Sequence, residues 1–386
     1  MNLEELKKHK FIVIGYEHYN PLGVIRSLGE NGIYPIVMIL RQPIRIASRS
    51  KYIGKLHIID SNDEAVEILL REYGNEEYKP FVIPCDDNST ETIDKNYDRL
   101  RNNFFIPNAG SSGRISEFMN KWTIMKLGEK HGLDVAPSWI AKKGEIPTDI
   151  IYPVFTKPMT SYPNWKADYY ICKNEDELKK AYNKIYGNEL LLQQFITKKS
   201  ELTLYGVSIN HGKELKILLS AEPAYVVPGY YSLKKKFQAF ADEKLYTIFN
   251  KIIEEIGYEG IFDADFLIDE TGKLYFLEIN FRNSAFSYAA TKLKLNIPLI
   301  WANSNLKGIF EENLVEIPEN YVAIAEAADF SQRVKKNKMI SVFAWLKDLK
   351  SVNCLLIWNK KDKKPCFSYW WGVIKLVICK KLGGRK

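Results

Sequence analysis

Two neighbouring segments put carboxylates where a strand is otherwise apolar: Gly-Ile-Phe-Asp-Ala-Asp-Phe-Leu-Ile-Asp (260–269) and Lys-Leu-Tyr-Phe-Leu-Glu-Ile-Asn (273–280). Side chains alternate along a strand, so Asp263 and Asp265 share one face, and Glu278, Asn280 and Arg282 share another. Isoleucine, phenylalanine and leucine around them mark buried strands, where an unused carboxylate is costly. A solvated strand face is the competing reading, and the apolar flanks argue against it. The Asp-Glu-Thr-Gly turn (269–272) lets the strands pair, which brings Asp265 close to Glu278, with Asn280 beside it. Two carboxylates and an amide oxygen form a hard, all-oxygen set. It suits Mg²⁺ (or Mn²⁺) held largely by phosphate oxygens, and it does not suit zinc. Arg282 is placed to meet a phosphate or a carboxylate.

Cations that could meet the same anion lie upstream. Lys121 opens the helix expected over 120–131, and Lys157 ends an apolar strand, Tyr-Pro-Val-Phe-Thr-Lys-Pro (152–158). Taken singly, each reads as a solvated lysine. Ahead of an acidic hairpin, in one small α+β unit, they form a pattern. That unit continues with a strand over 168–172, a helix over 175–186 and a strand over 190–196. Hairpin 201–209/214–221 and helix 241–256 follow.

Residues 11–108 have another texture. Phe-Ile-Val-Ile-Gly (11–15), 34–40, 56–60, 81–85 and 104–107 read as strands, with helices over 21–30, 61–73 and 88–102 between them. Ser61 to Glu64 has the form of a capping box. This βαβα order predicts a doubly wound parallel sheet of about 110 residues. Gly15 and Gly23 do not give the GxGxxG spacing, so a dinucleotide site has little support. Loop 16–23 lies past the carboxyl end of the first strand, where open sheets bind ligands; ordinary loop chemistry is the favoured reading of it over substrate binding.

The combination resembles the ATP-grasp superfamily, over about residues 10–330. Lys121 in Met-Asn-Lys-Trp-Thr and Lys157 in Phe-Thr-Lys-Pro match its two phosphate-binding lysines. Gln193-Gln194-Phe195-Ile196 matches the hinge that reads adenine through its backbone, and a glutamine amide oxygen can also accept from the adenine amino group. Glu201 matches the ribose-binding glutamate. Asp265, Glu278 and Asn280 match the metal ligands, and Arg282 completes Glu-x-Asn-x-Arg. The resemblance implies an α/β and α+β ATP-grasp fold. Residues 1–115 would form a Rossmann-like preATP-grasp domain, 116–197 a lid, 198–330 a metal-bearing antiparallel sheet domain, and 331–386 an extension. It implies ATP and Mg²⁺ as cofactors, Lys157 and Arg282 as catalytic residues, and a homodimer, common in the superfamily. Pro-Leu-Gly-Val-Ile-Arg-Ser-Leu-Gly (21–29), Arg-Ser-Lys-Tyr (49–52), Phe-Leu-Glu-Ile-Asn-Phe-Arg-Asn-Ser (276–284) and Ser-Tyr-Ala-Ala-Thr (287–291) resemble the carboxylate–amine ligase group that includes D-aspartate ligase-like enzymes. The activity implied is amide formation through an acyl-phosphate with release of ADP. A phosphotransferase and a degenerate nucleotide-binding module are the alternatives on the same fold. One departure stands out: loop 159–166 has no glycine where a glycine-rich lid is usual, and Ser161 or Lys166 would have to cover the phosphates.

Composition sets the outer bounds. The 386 residues are 46% hydrophobic, 26% charged and 13% aromatic, which excludes whole-chain disorder. Five cysteines without a CxxC pair exclude a cysteine zinc site and a disulfide framework. A charged N-terminus and the lack of a long apolar run predict a cytoplasmic protein. The net charge of +8 is uneven: residues 331–386 carry fifteen Lys/Arg against Asp348 and Asp362, leaving the rest at −5. No nucleic-acid motif accompanies that charge. Phe-Ser-Tyr-Trp-Trp-Gly-Val-Ile-Lys-Leu-Val-Ile-Cys-Lys-Lys (367–381) reads either as a last helix packed on the body or as an interfacial anchor on the inner face of a membrane. The second reading associates the enzyme with a cell-envelope precursor, with an amino acid as one partner.

Overall fold

The computed structural model describes residues 1–158, 168–226, 232–312 and 315–383. Loop 159–166 therefore lies outside the described residues. The chain divides into two compact units: Met1–Ser116 with Thr203–Ala264 and Asn280–Lys386, and Glu117–Leu202 with Asp265–Ile279.

The larger unit begins with β1 (Phe11–Gly15), β2 (Ile36–Leu40), β3 (Lys55–Ile59) and β4 (Phe81–Pro84), a parallel sheet in the order β3-β2-β1-β4. Phe11 and Val13 enter one hydrophobic core, and Ile12 and Ile14 enter another. Both faces are thus covered, which is why β1 reads as unbroken apolar sequence. The expected strand at 104–107 shrinks to a single bridge between Phe105 and Phe81, because Phe104 still donates to Leu100 at the end of the preceding helix and Pro107 has no N–H to give. The helix expected over 88–102 breaks at Asn96, whose side-chain amide also bonds the Thr92 carbonyl. Ser61 caps its helix by accepting from Glu64 N–H, but the Glu64 carboxylate takes the N–H of Asp60 and the box is not reciprocal.

The smaller unit holds β5 (Ser138–Lys142), β6 (Val154–Pro158), β7 (Ile171–Cys172) and β8 (Glu189–Gln194), antiparallel in the order β5-β8-β6-β7. Helix Glu175–Tyr182 buries Leu178, Ala181 and Tyr182 in one core with Val154, Leu190 and Leu192. The strand expected at 168–172 is only two residues long. At Thr156 side-chain bonds enter: its N–H still reaches the Tyr170 carbonyl, but Tyr170 N–H goes to the Thr156 hydroxyl, which donates to the Asp168 carbonyl.

A seven-stranded sheet contains β9 (Lys198–Ile209), β10 (Glu214–Pro223), β11 (Lys234–Gln238), β12 (Gly260–Asp269), β13 (Leu274–Asn280), β14 (Tyr321–Ile324) and β15 (Cys354–Leu355), in the order β13-β12-β9-β10-β11-β14-β15. Residues 198–202 and 265–279 of it are counted in the smaller unit. The turn between β9 and β10 takes positive φ at Asn210, His211 and Gly212. On β9, Gly206 lies under Phe262; a Cβ there would sit 2.3 Å from the ring.

No break in packing falls near residue 330, where the charge changes. β15 pairs parallel with β14. Arg26, fully buried on helix Tyr19–Gly29, donates to the Leu356, Ile357 and Asp362 carbonyls and to the Asp362 carboxylate. Helix Lys364–Gly383 packs through Cys366 and Tyr369 and lays Gly372 against Ile44. Among its described apolar side chains, Phe367, Trp370, Trp371, Ile374, Leu376 and Ile378 are exposed. The helix therefore docks on one side and presents aromatic and aliphatic side chains on the rest. Among the described residues, no helix is long and apolar enough to cross a membrane.

Candidate functional site

In the smaller unit, Lys121 is the first residue of helix Lys121–Lys130. Asn120 caps that helix by accepting from Trp122 and Thr123 N–H. The cap fixes where Lys121 leaves the backbone, and its Nζ lies 3.6 Å from Glu278 Oε2. Lys157 projects from β6 and donates to Gln193 Oε1 on β8 at 2.6 Å. Register explains the meeting. Lys157 opposes Leu191, so Gln193 is its diagonal neighbour on the same face. Gln193 is buried, and its Nε2 donates onward to Ser138 Oγ at 2.9 Å and towards Met125 Sδ. Sequence reasoning missed this contact between the Gln193 amide oxygen and Lys157.

Lys157 is the electrostatic anomaly of this cluster. Burial and the neighbouring Lys121 charge push its pKa down to about 8, against a smaller opposing pull from Glu278. A lysine whose charge is penalised by desolvation and by a second cation is suited to receive an anion. Tyr169, stacked edge-on to Phe155 at 4.8 Å between ring centres, has its hydroxyl pushed up by burial and by the Glu278 charge. Lys121, Lys157, Gln193, Tyr169 and Glu278 are thus one electrostatic neighbourhood. Glu201, half-buried on β9, is paired with Lys198. Gln194 and Phe195 spend their N–H groups on the Pro137 and Pro153 carbonyls, which fixes the backbone leading to Ile196.

Asp265 stands half-buried on β12 and Glu278 is partly exposed on β13. At the end of this hairpin Asp269 N–H bonds the Lys273 carbonyl, and Phe266 packs against Phe276 with tilted rings 5.5 Å apart.

Asp265 and Glu278 offer carboxylate oxygens only, and among the described residues no three His, Cys, Asp or Glu side chains converge as a metal cage. That donor set fits a hard cation completed by phosphate oxygens and water, and it does not fit a fully protein-enclosed ion.

Asn280 and Arg282 belong to the larger unit, where they join other partners. Asn280 Nδ2 donates to Asp263 Oδ1 at 2.6 Å, and Asn280 Oδ1 accepts from Arg282 Nη2 at 3.0 Å. Arg282 Nε donates to Asp87 Oδ1 at 2.7 Å. Asp263 and Asp87 thus orient Arg282, and sequence reasoning missed Asp87 altogether: an exposed aspartate in a first helical turn reads as a dipole partner. Loop 16–23 is also shorter than expected, since helix Tyr19–Gly29 starts within it and His18 caps it by accepting from Asn20 N–H. Glu17 is spent on the N–H groups of Ile46 and Ser48. Asn20 donates to the Cys85 and Asn283 carbonyls.

No known family profile matches the chain, and no curated protein matches it by sequence. Solved structures do. The chain is similar to N5-carboxyaminoimidazole synthetase from Staphylococcus aureus complexed with ADP, with a TM-score of 0.64 and 17% identity over 85% of this chain and 86% of that one. A biotin carboxylase from Campylobacter jejuni, as a β,γ-ATP complex, gives 0.63 and 17% over 81% and 74%. An L-amino acid ligase from Bacillus licheniformis gives 0.60 and 13% over 78% and 74%. At these identities the likeness is one of fold.

Proposed function

We propose that this chain, which has the ATP-grasp fold, is an ATP-dependent ligase that joins a carboxylate to an amine. The observation that carries the reading is the Lys121–Lys157–Glu278 neighbourhood, with a desolvated lysine held on Gln193 and a carboxylate alongside. In this reading Lys121 and Lys157 take the nucleotide phosphates. Residues 193–196 border the base and Glu201 the ribose. Asp265 and Glu278, with Asn280 two residues further along the same strand, hold Mg²⁺. That ion would supply charge neutralisation on the phosphate oxygens. Arg282 and Lys157 act on the reacting groups. Residues 1–115, 116–197, 198–330 and 331–386 are then the preATP-grasp domain, lid, metal-bearing domain and extension, in a protein that pairs as a homodimer.

The chemistry takes two displacements. A carboxylate oxygen attacks the γ-phosphorus, the bridging P–O bond breaks, and ADP leaves. The amine nitrogen then attacks the acyl carbon of the acyl-phosphate, the C–O bond to phosphate breaks, and the nitrogen loses a proton. The protein's part is to position the reactants and to offset negative charge. An ADP-release screen of carboxylates crossed with amines, with and without Mg²⁺, tests this. Turnover needing both partners is expected, and hydroxylamine should divert the product to a hydroxamate. A phosphorylated product without hydroxamate would show a phosphotransferase instead.

The finer reading concerns place. Phe367, Trp371 and Ile374 are exposed on a helix that also carries Lys364 and Lys375. That surface fits peripheral contact with an anionic membrane from the cytoplasmic side, near a cell-envelope precursor to which an amino acid is added. The full chain should sediment with phosphatidylserine vesicles and stay in solution with phosphatidylcholine ones. Trp371→Glu should weaken the first; equal sedimentation of variant and parent would remove the membrane from the proposal.

A further inference from the structure

The larger unit carries a second exposed apolar helix, Val342–Leu349, ahead of the terminal one. Ser341 caps it by accepting from Ala344 N–H. One side is anchored. Trp345 is buried, edge-on to Phe330 at 4.9 Å between ring centres, and its Nε1 donates to Asp329 Oδ2 at 2.7 Å. Asp348, three residues on, accepts from Lys234 Nζ at 2.6 Å and from Arg333 Nη2 at 2.5 Å. Residues three apart share a helix face, so Trp345 and Asp348 hold the helix by one side and leave the other outward. That outward side is apolar. Phe343 is 80% exposed, Val342 and Leu346 are each 51% exposed, and Met339, just before the cap, is exposed too. A surface helix ordinarily turns polar residues to water. An apolar patch held out by its own anchors has the character of an interaction surface.

Charge identifies the occupant. Lys335, Lys336, Lys338, Lys347 and Lys350 are all exposed. Asp348 is the one acid between residues 335 and 350, and Lys234 and Arg333 take up its charge. The patch therefore calls for an apolar phase with an anionic surface. A second copy fits poorly, because a two-fold interface would set this lysine-rich stretch against itself. A nucleic acid would meet the lysines and leave Phe343 in water. An anionic bilayer satisfies both: apolar side chains enter the boundary of headgroups and acyl chains, and lysine stems reach back to the headgroup charge.

We propose that helix Val342–Leu349 is a membrane-contact element that seats Val342, Phe343 and Leu346 in an anionic bilayer, with the lysines of 335–350 on the headgroups. This extends the membrane reading above, on which it rests for a bilayer being within reach. It does not depend on helix Lys364–Gly383 making the contact.

Sedimentation of the full chain with phosphatidylserine or phosphatidylcholine vesicles tests it. The parent should bind the first and not the second, and binding should fall as salt is added. Phe343→Glu should weaken binding to phosphatidylserine vesicles about 10- to 100-fold, with ADP affinity and melting midpoint unchanged. Leu346→Ser should weaken it in the same direction, so a folding defect in one variant does not decide the matter. Lys347→Glu combined with Lys350→Glu should weaken it and flatten the salt dependence. Equal binding to both lipids, or folded Phe343→Glu and Leu346→Ser variants that bind as the parent does, overturns the proposal. A dimer that Phe343→Glu dissociates in the ultracentrifuge, with vesicle binding untouched, would assign the patch to a second copy and overturn it as well. Trp371→Glu separates the two helices. Binding lost in Phe343→Glu and kept in Trp371→Glu sustains this contact and removes the one at the terminal helix. The opposite pattern removes this contact and sustains that one.

Discussion

Glu278→Gln should leave the fold standing and cut ATP-dependent turnover by roughly 10²- to 10³-fold, the scale on which a single preorganised charge acts in an active site. The side chain is 39% exposed and its contact to Lys121 is 3.6 Å. A pair of that kind contributes at most about 1 kcal/mol to stability, so the melting midpoint should barely move. Two effects add on the catalytic side. Glutamine keeps one neutral oxygen but loses the charge that a hard cation requires. It also removes the carboxylate that partly offsets the repulsion between Lys121 and Lys157. The remedies differ: raised Mg²⁺ should restore part of the activity if metal affinity is the main loss. ADP affinity measured without metal should change little, because the phosphate lysines remain. Full ATP-dependent activity in Glu278→Gln would remove the metal site from the mechanism and with it the main support for the ligase reading.

How far such a site could be read from residues alone depended on whether its geometry is local. The two hairpin strands were legible because period-two alternation and apolar flanks are carried by adjacent residues, and the observed strands 260–269 and 274–280 nearly coincide with the expected ones. The contact between Asp87 and Arg282 was not legible, because the two are 195 residues apart in sequence. The contact of the Gln193 side chain was hidden for a related reason. Its partner Lys157 is 36 residues away, and the two meet only because Phe155 opposes Gln193 in the ladder. Register is a tertiary fact, and a one-residue slip would have sent either side chain to the other face.

Asp362→Ala should be the most destabilising single change in the C-terminal segment, by about 3–5 kcal/mol. Asp362 and Arg26 are both fully buried, with Nε and Oδ2 3.0 Å apart. The carboxylate also accepts from Ser50 Oγ at 2.8 Å and from Lys51 N–H at 3.0 Å. Removing it leaves a guanidinium in the core with carbonyl partners but no counter-charge, and strips two further donors of their acceptor. The tail thereby becomes legible in hindsight. Its lysines suggested a detachable basic extension, yet one of its two acids closes a network 336 residues away in sequence, and that acid is why residues 354–362 cannot leave the body cheaply. Denaturant unfolding of the full chain should show a lower midpoint at unchanged slope. Replacing both partners separates cause from coincidence: Arg26→Met with Asp362→Leu removes the charges together and should recover most of the lost stability, since a buried ion pair exchanged for apolar groups is often neutral or better. If Asp362→Ala alone shifted the midpoint by no more than an exposed substitution does, the pair would not be what fixes the segment, and the helix Lys364–Gly383 would owe its position to Cys366, Tyr369 and Gly372 alone.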